Sequence, residues 1–238
     1  MFNFLDDGKS ALLKRVYNAG TSTAFIKVTV QEILIDEQGN QRELPPQALG
    51  SAPLVQHNTL IASPARLIVP AGGRQSTRLL FLGQRPKERY FRVRFMPVLP
   101  NNADRFDLSD AQQQAYKQAL SAGVTVLSGF GTVLFVRPDQ VTYNTRLLDE
   151  ANGYSVHNTG NSVVVLDHFK DCALKDPTNC KPLTQHYVLP GHRFRFTKLP
   201  DRAYSFVLQE GEKEQPVTVG HAADSSLAAT SAPQLQRK

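Results

Sequence analysis

His168, Cys172, Cys180 and His186 have side chains that can hold zinc, and they fall close together in the chain. The two cysteines are separated by more residues than the two to four of a zinc knuckle. A disulfide across loop 173–179 and a pair of free thiols are the other readings, and the disulfide implies an oxidising compartment. No Gly-x-Ser-x-Gly nucleophile elbow occurs, because Ser128-Gly129-Phe130-Gly131 has the wrong order. A phosphate loop of the Gly-x-x-x-x-Gly-Lys-Ser/Thr kind is absent. Gly129-Phe130-Gly131 lacks the third glycine of a dinucleotide loop and sits inside an apolar strand, where glycines mark a bulge or a close backbone approach. The six histidines form no triad pattern with a serine or cysteine. Asp6-Asp7, Asp36-Glu37 and Asp104 read as solvated turn residues. Nothing here supports an enzyme, a cofactor or a metal site.

Basic residues are the remaining chemistry. Arg85, Lys87, Arg89, Arg92 and Arg94 are interleaved with Tyr90, Phe91 and Phe95, and a basic strand with aromatics can bind single-stranded nucleic acid. In Tyr90-Phe91-Arg92-Val93-Arg94-Phe95-Met96, however, the alternation puts Phe91, Val93 and Phe95 on one face and Arg92 and Arg94 on the other. Those phenylalanines are expected to face a core.

The elements that position these residues are strands. Residues 25–35, 67–69, 76–82 and 90–96 are rich in β-branched or alternating apolar residues, and Pro70-Ala71-Gly72-Gly73 and Gly83 punctuate them. The longest candidate runs from 123 to 136. After Arg137-Pro138-Asp139-Gln140, a linker, a second set of strands covers 141–146, 154–157, 162–168, 187–189, 193–197, 204–208 and 216–219. Asn158-Thr159-Gly160-Asn161 predicts a hairpin turn. Residues 107–120 are the one helix-like stretch, weakly amphipathic, and read as a mobile loop with a helical turn. Many short strands with Gly/Pro/Asn turns predict an all-β chain of antiparallel sandwiches. The 238 residues allow two domains, expected at 1–138 and 139–220, with 221–238 as a disordered tail. No internal repeat is visible. The net charge of +6 selects no partner class. No apolar run reaches about 18 residues, so no membrane insertion is expected. Met1-Phe2-Asn3-Phe4-Leu5 is not a secretory signal: the chain is either cytoplasmic or lacks its leader.

Several segments in order resemble the periplasmic chaperones of the chaperone–usher pilus pathway, the PapD-like superfamily. They are Val16-Tyr17-Asn18, Ser63-Pro64-Ala65-Arg66-Leu67, Pro70 to Arg78 with its Gly-Gly turn, Glu88-Arg89-Tyr90-Phe91-Arg92-Val93, and Thr132-Val133-Leu134-Phe135-Val136-Arg137-Pro138. The Glu-Arg-Tyr-x-Arg-Val form and the cysteine pair in the second domain are similar to the alternate, common-pilus type. The resemblance implies two immunoglobulin-like β-sandwiches set in an L. It implies a periplasmic protein without covalent catalysis, whose partners are pilin (fimbrial) subunits and an outer-membrane usher. Such a chaperone lends a strand to a subunit that lacks its own last one. That covers an aggregation-prone apolar groove through ladder hydrogen bonds and alternate side-chain pockets.

Matching Pro138 to the family's end-of-strand proline places the donated side chains at Val124, Val126, Ser128 and Phe130. The other row, Thr125 and Leu127 with Val133 and Phe135 further on, then serves the chaperone's own core or changes face after a bulge at Gly129 or Gly131. The better-known chaperones hold the subunit's C-terminal carboxylate with an arginine on the first strand and a lysine on the donor strand. Here the lysine position is Val133, so the anchor is expected at Arg92, then Arg94, then Arg89. Arg78 and Glu88 match an internal salt bridge that fixes the domain angle, with Glu210 as a second-domain partner. Cys172–Cys180 is the expected disulfide. The rival readings are a basic β-sandwich binding single-stranded nucleic acid and a structural fimbrial or adhesion component.

Overall fold

The computed structural model describes residues 2–36, 38–45, 59–100, 106, 108–121 and 128–220. The chain forms two compact units, Met1–Val141 and Thr142–Lys238. In the first, β1 (Phe2–Leu5), β2 (Ala11–Tyr17), β3 (Ala24–Ile35), β4 (Gln41–Glu43), β5 (Thr59–Ser63), β6 (Arg66–Val69), β7 (Arg74–Leu82) and β8 (Arg89–Pro97) precede α1 (Asp110–Ser121) and β9 (Phe130–Val136). In the second, β10 (Thr145–Glu150), β11 (Gly153–Asn158), β12 (Val164–Ala173), β13 (Asp176–Cys180), β14 (Thr184–Val188), β15 (Arg193–Thr197), β16 (Arg202–Glu210) and β17 (Lys213–Val219) follow.

Each unit is a sandwich of two sheets. The first packs a sheet ordered β1-β9-β8-β3-β4, with β6 also on β3, against β2-β7-β5. Among the described strands its pairings are antiparallel except β1 with β9, which is parallel. The second packs β10-β11-β15 against β13-β12-β16-β17, with β14 also on β12. The alternation read in β8 holds. Phe91, Val93 and Phe95 are fully buried with Leu134, Val136, Leu79 and Phe81 in the first core, while Arg92 and Arg94 lie on the other face. The second core gathers Tyr154, Val156, Leu166, Phe169, Phe206 and Leu208. Cys172 and Cys180 are cross-strand partners on β12 and β13 and form a disulfide.

The structure corrects three local expectations. Residues 158–161 do not make a hairpin, because β11 and β12 belong to different sheets. Fully buried Asn158 turns the chain across the sandwich by donating to the carbonyls of Ser162 and Val188, 2.8 Å each, and accepting from Gly160 N–H at 3.0 Å. A Cβ at Gly160 would stand 2.4 Å from the Thr142 carbonyl oxygen, so only glycine fits. The same device occurs in the first unit. Asn18 donates to the carbonyls of Ser22 and Val69 and accepts from Gly20 N–H. Val16-Tyr17-Asn18-Ala19-Gly20-Thr21-Ser22 and Val156-His157-Asn158-Thr159-Gly160-Asn161-Ser162 thus share Val-x-Asn-x-Gly-x-Ser, an internal repeat invisible to a period-based reading.

Second, 110–121 is a helix rather than a loop with a single turn. Ser109 and Gln112 form a capping box: Gln112 N–H donates to Ser109 Oγ, and Ser109 N–H donates to Gln112 Oε1. Tyr116 holds the helix to the sandwich, its hydroxyl donating to the Thr23 carbonyl at 2.7 Å and its ring meeting Phe25 edge-on at 4.7 Å. Third, the described part of the 123–136 strand begins at Phe130, and its ladder with β8 runs to Val136 without a register shift, so no bulge lies at Gly131.

Candidate functional site

β8 and β9 build the site together. Their register pairs Arg92 with Val133, Arg94 with Gly131 and Phe95 with Phe130. Cross-strand partners share a face, so Thr132, Leu134 and Val136 point inward with Phe91 and Val93, whereas Gly131, Val133 and Phe135 lie outward with the arginines. This reverses the expected rows within β9. Val133 and Phe135 do not serve the sandwich core, because an unbroken ladder leaves no place to change face. Phe135 is buried instead on the outer face, against Phe2, Phe4 and Tyr90 at ring distances of 5.3–5.7 Å.

The upstream end of β9 is less covered than the rest of the strand. Among the described residues β1 starts at Phe2 opposite Val133, and its ladder covers Val133 to Val136. Among the described strands, Phe130 and Gly131 pair with β8 alone. Phe130 sits at the rim of the core, stacked on Phe95 at 4.7 Å yet 43% exposed, and Ser128 is exposed before it. The backbone at Gly129 passes so close to β8 that a Cβ there would lie 2.7 Å from Met96 Sδ and 3.0 Å from the Phe95 carbonyl. Val124 and Val126 lie outside the described residues.

Beside this edge, on the outer face, is a cavity of about 360 Å³ lined by Phe2, Arg92, Arg94, Met96, Phe130 and Val133, among others. Its two guanidiniums converge on one carboxylate. Arg92 Nη1 donates to Glu43 Oε1 at 2.8 Å, and Arg94 Nη2 donates to the same oxygen. Arg92 Nη2 reaches Gln41, and Arg94 Nη1 donates to Gln31 at 3.0 Å. The hydrogen bond and charge of Arg94, then of Arg92, hold the Glu43 carboxyl below its usual range despite some opposing desolvation.

Arg89 does not share that face. It lies inward opposite Val136, its guanidinium over the Phe81 and Phe91 rings and paired in two-pronged fashion with Glu32 at 2.5–2.7 Å. Glu32 interrupts the apolar row of β3 opposite Phe91, and this pair closes the end of the core. The expected Arg78–Glu88 bridge is not formed. Arg78 is exposed on β7 opposite Leu13, with no ion pair among the described residues. Glu88 is buried before β8 in the other sheet, where it bonds Tyr90. Burial first, then Glu88, pushes the Tyr90 hydroxyl far above its usual range. Glu210 ends β16 opposite Lys213 within the second unit.

Sequence reasoning missed the cluster that holds β1 against β9. Arg85, 6% exposed, donates from Nη1 to the Asp6 carbonyl at 3.0 Å and from Nε to Asp139 Oδ1 at 3.0 Å. Its backbone N–H donates to Asp139 Oδ2 at 2.8 Å. Arg137 approaches Asp6 Oδ1 at 3.5 Å and covers the Phe4 ring at 4.9 Å. The Arg85 backbone N–H, then its side chain, lower the Asp139 carboxyl. Glu43 was missed as well, since nothing in Gln41-Arg42-Glu43 signals that it meets β8.

The inward-facing phenylalanines and the carboxylate shared by Arg92 and Arg94 leave β8 without the stacking platform that a single-strand nucleic-acid surface needs. Among the described residues no cluster of His, Cys, Asp and Glu could hold a metal, and no helix is long and apolar enough to cross a membrane.

No protein-family model matches the chain. It is 29% identical over 219 residues to the probable fimbrial chaperone EcpB of Klebsiella pneumoniae, covering 90% of this chain and 87% of the relative. It is also 29% identical over 221 residues to the Escherichia coli protein of that name, with the same coverage. In three dimensions it is similar to the class 5 fimbriae chaperone CfaA, with TM-score 0.55, 18% identity, and 92% and 94% of the two chains covered. It is likewise similar to a chain of the CsuC–CsuE chaperone–tip adhesion subunit complex of Acinetobacter baumannii, with TM-score 0.51, 13% identity, and 92% and 95% covered. The resemblance read from the sequence is borne out, and the fold is that of the two-domain β-sandwich fimbrial chaperones.

Proposed function

We propose that this chain is a periplasmic chaperone of the chaperone–usher pilus pathway, which binds fimbrial subunits by donating a strand and passes them to an outer-membrane usher. The relatives are named as fimbrial chaperones, and one structural neighbour is held with a tip adhesion subunit. No covalent chemistry is needed for this work.

The observation that carries the mechanism is the uncovered edge of β9. A subunit strand can add beside Phe130 and Gly131, which pair with β8 alone among the described strands, and backbone hydrogen bonds supply the affinity of such an addition. The inward row of β9 reaches its rim at Phe130. Val124, Val126 and Ser128 alternate with Phe130 in the sequence, and we assign these four side chains to the groove of the subunit. Arg92 and Arg94, facing the cavity beside the edge, are the anchor for the subunit's terminal carboxylate. A guanidinium–carboxylate pair would fix the register of the added strand. Arg89 has no part in this anchor.

The test is periplasmic co-expression with the fimbrial subunit encoded beside this chain, purified through a tag on the chain. Wild type should recover a one-to-one complex. Val126→Asp/Phe130→Asp should recover essentially none, and Arg92→Ala should lose most of the complex while its melting curve stays near wild type. Equal capture by the double variant would sink the donated-strand assignment.

A further inference from the structure

Arg92 and Arg94 already hold a carboxylate of their own chain. Glu43 accepts from both guanidiniums through a single oxygen, Oε1. Gln41 takes the other terminal nitrogen of Arg92, and Gln31 takes that of Arg94. In each arginine, then, both terminal nitrogens donate to β3 or β4, and the fork that best grips an incoming carboxylate is engaged. The element that supplies Glu43 is weakly held. β4 has three residues and, among the described strands, pairs with β3 alone at the end of the sheet. A short edge strand is among the first parts of a sandwich to open.

We propose that Glu43 is a resident stand-in for the ligand carboxylate and thereby sets the specificity of the site: it is displaced by a ligand carboxylate and by nothing neutral. The proposal rests on the carboxylate-anchor reading above. With Glu43 seated, two guanidiniums share one negative charge, so the site keeps a net positive charge that attracts one further anion. A ligand carboxylate entering from the cavity meets that charge and exchanges with Glu43, whose side chain returns to water at the short β4 strand. A neutral chain end offers no charge to replace the one it displaces, and leaving two neighbouring, half-buried guanidiniums without a counter-charge is unfavourable. Empty and loaded sites thus carry the same net charge, and the exchange leaves neither arginine without a carboxylate partner.

The test uses full-length protein and a synthetic peptide of the last strand of the neighbouring fimbrial subunit, made with a free carboxylate or a carboxamide and read by fluorescence polarisation. Wild type should prefer the carboxylate form. Glu43→Gln keeps the shape but removes the competing charge, so it should bind the carboxylate form about five- to tenfold more tightly and leave the carboxamide form little changed. Glu43→Asp, which keeps the charge on a shorter arm, should fall between the two and covers the case of a Gln variant that does not fold. Weaker or unchanged binding of the carboxylate form by Glu43→Gln would make Glu43 a support for the arginines and overturn the proposal. Wild type that captures the whole subunit but shows no preference between the peptides would refute the displacement while leaving strand donation intact. Failure to capture the subunit at all would refute both.

Discussion

Asn158 shows how much one polar side chain can decide. All three of its polar hydrogen-bonding groups are used inside the protein, two N–H donors on carbonyls and one oxygen on Gly160 N–H. Removing it would leave two buried carbonyls and a backbone N–H to find other partners, and each unsatisfied buried group costs about 1–3 kcal/mol. Asn158→Ala should therefore destabilise the second unit by about 3 kcal/mol in urea unfolding, near the upper end for single substitutions. Asn18→Ala should cost less, because Asn18 is only partly buried. Equal effects would mean that solvent does not relieve the loss at Asn18. Arg89 and Glu32 make the same point about charge. A basic residue before an alternating strand reads as surface, but register opposite Val136 turns Arg89 inward, and the pairing partner comes from a strand 57 positions away.

At the scale of elements, the edge formed by β1 and β9 depends on Arg85 and Asp139. Parallel β1 has only four residues, too few to hold an edge by ladder bonds alone. The Asp139 carboxyl titrates below its usual 3.8 when folded, chiefly through the Arg85 backbone N–H and side chain. A carboxyl lowered by folding adds stability above its unfolded value and loses that contribution as pH falls through the folded one. Protection of the wild-type β1 amides, taken relative to the intrinsic exchange rate at each pH, should therefore fall on acidification below about pH 4. Asp139→Asn should exchange faster than wild type at neutral pH and change less between neutral and acid pH. Matching profiles for the two proteins would remove Asp139 from the support of β1. Much of this level was legible in the residues. The alternation of β8 and the apolar run ending in β9 marked both as strands, and the cysteine pair fell on a hairpin. The helix escaped because Ser109 and Gln112 form their capping box ahead of a stretch with little apolar face, so its signal lies in the cap rather than in periodicity.

For the whole molecule, two sandwiches with separate cores should respond separately to a local perturbation. The Cys172–Cys180 bridge closes a loop with a sequence separation of 8, which on the chain-entropy account contributes about 2–3 kcal/mol. Reduction should lower the melting of the second unit and leave that of the first in place, giving a calorimetric trace with two resolved transitions. A single transition that moves as one would show the two cores to be energetically coupled.

What the sequence determined by itself was whatever local pattern and short spacing encode. This covers the all-β class, the in–out alternation of β8, the pair of cysteines eight positions apart, and the ordered segments that carry the resemblance to pilus chaperones. Tertiary structure alone decided which face each row of β9 presents, since that depends on its register with β8 rather than on its own residues. It decided too that Arg92 and Arg94 meet Glu43 while Arg89 meets Glu32, and that Arg78 and Glu88 stay apart on different sheets. The physical reason is common to all of these. A charge finds its partner through the space between strands, and sheet pairing brings together residues about 50 positions apart that no local pattern relates.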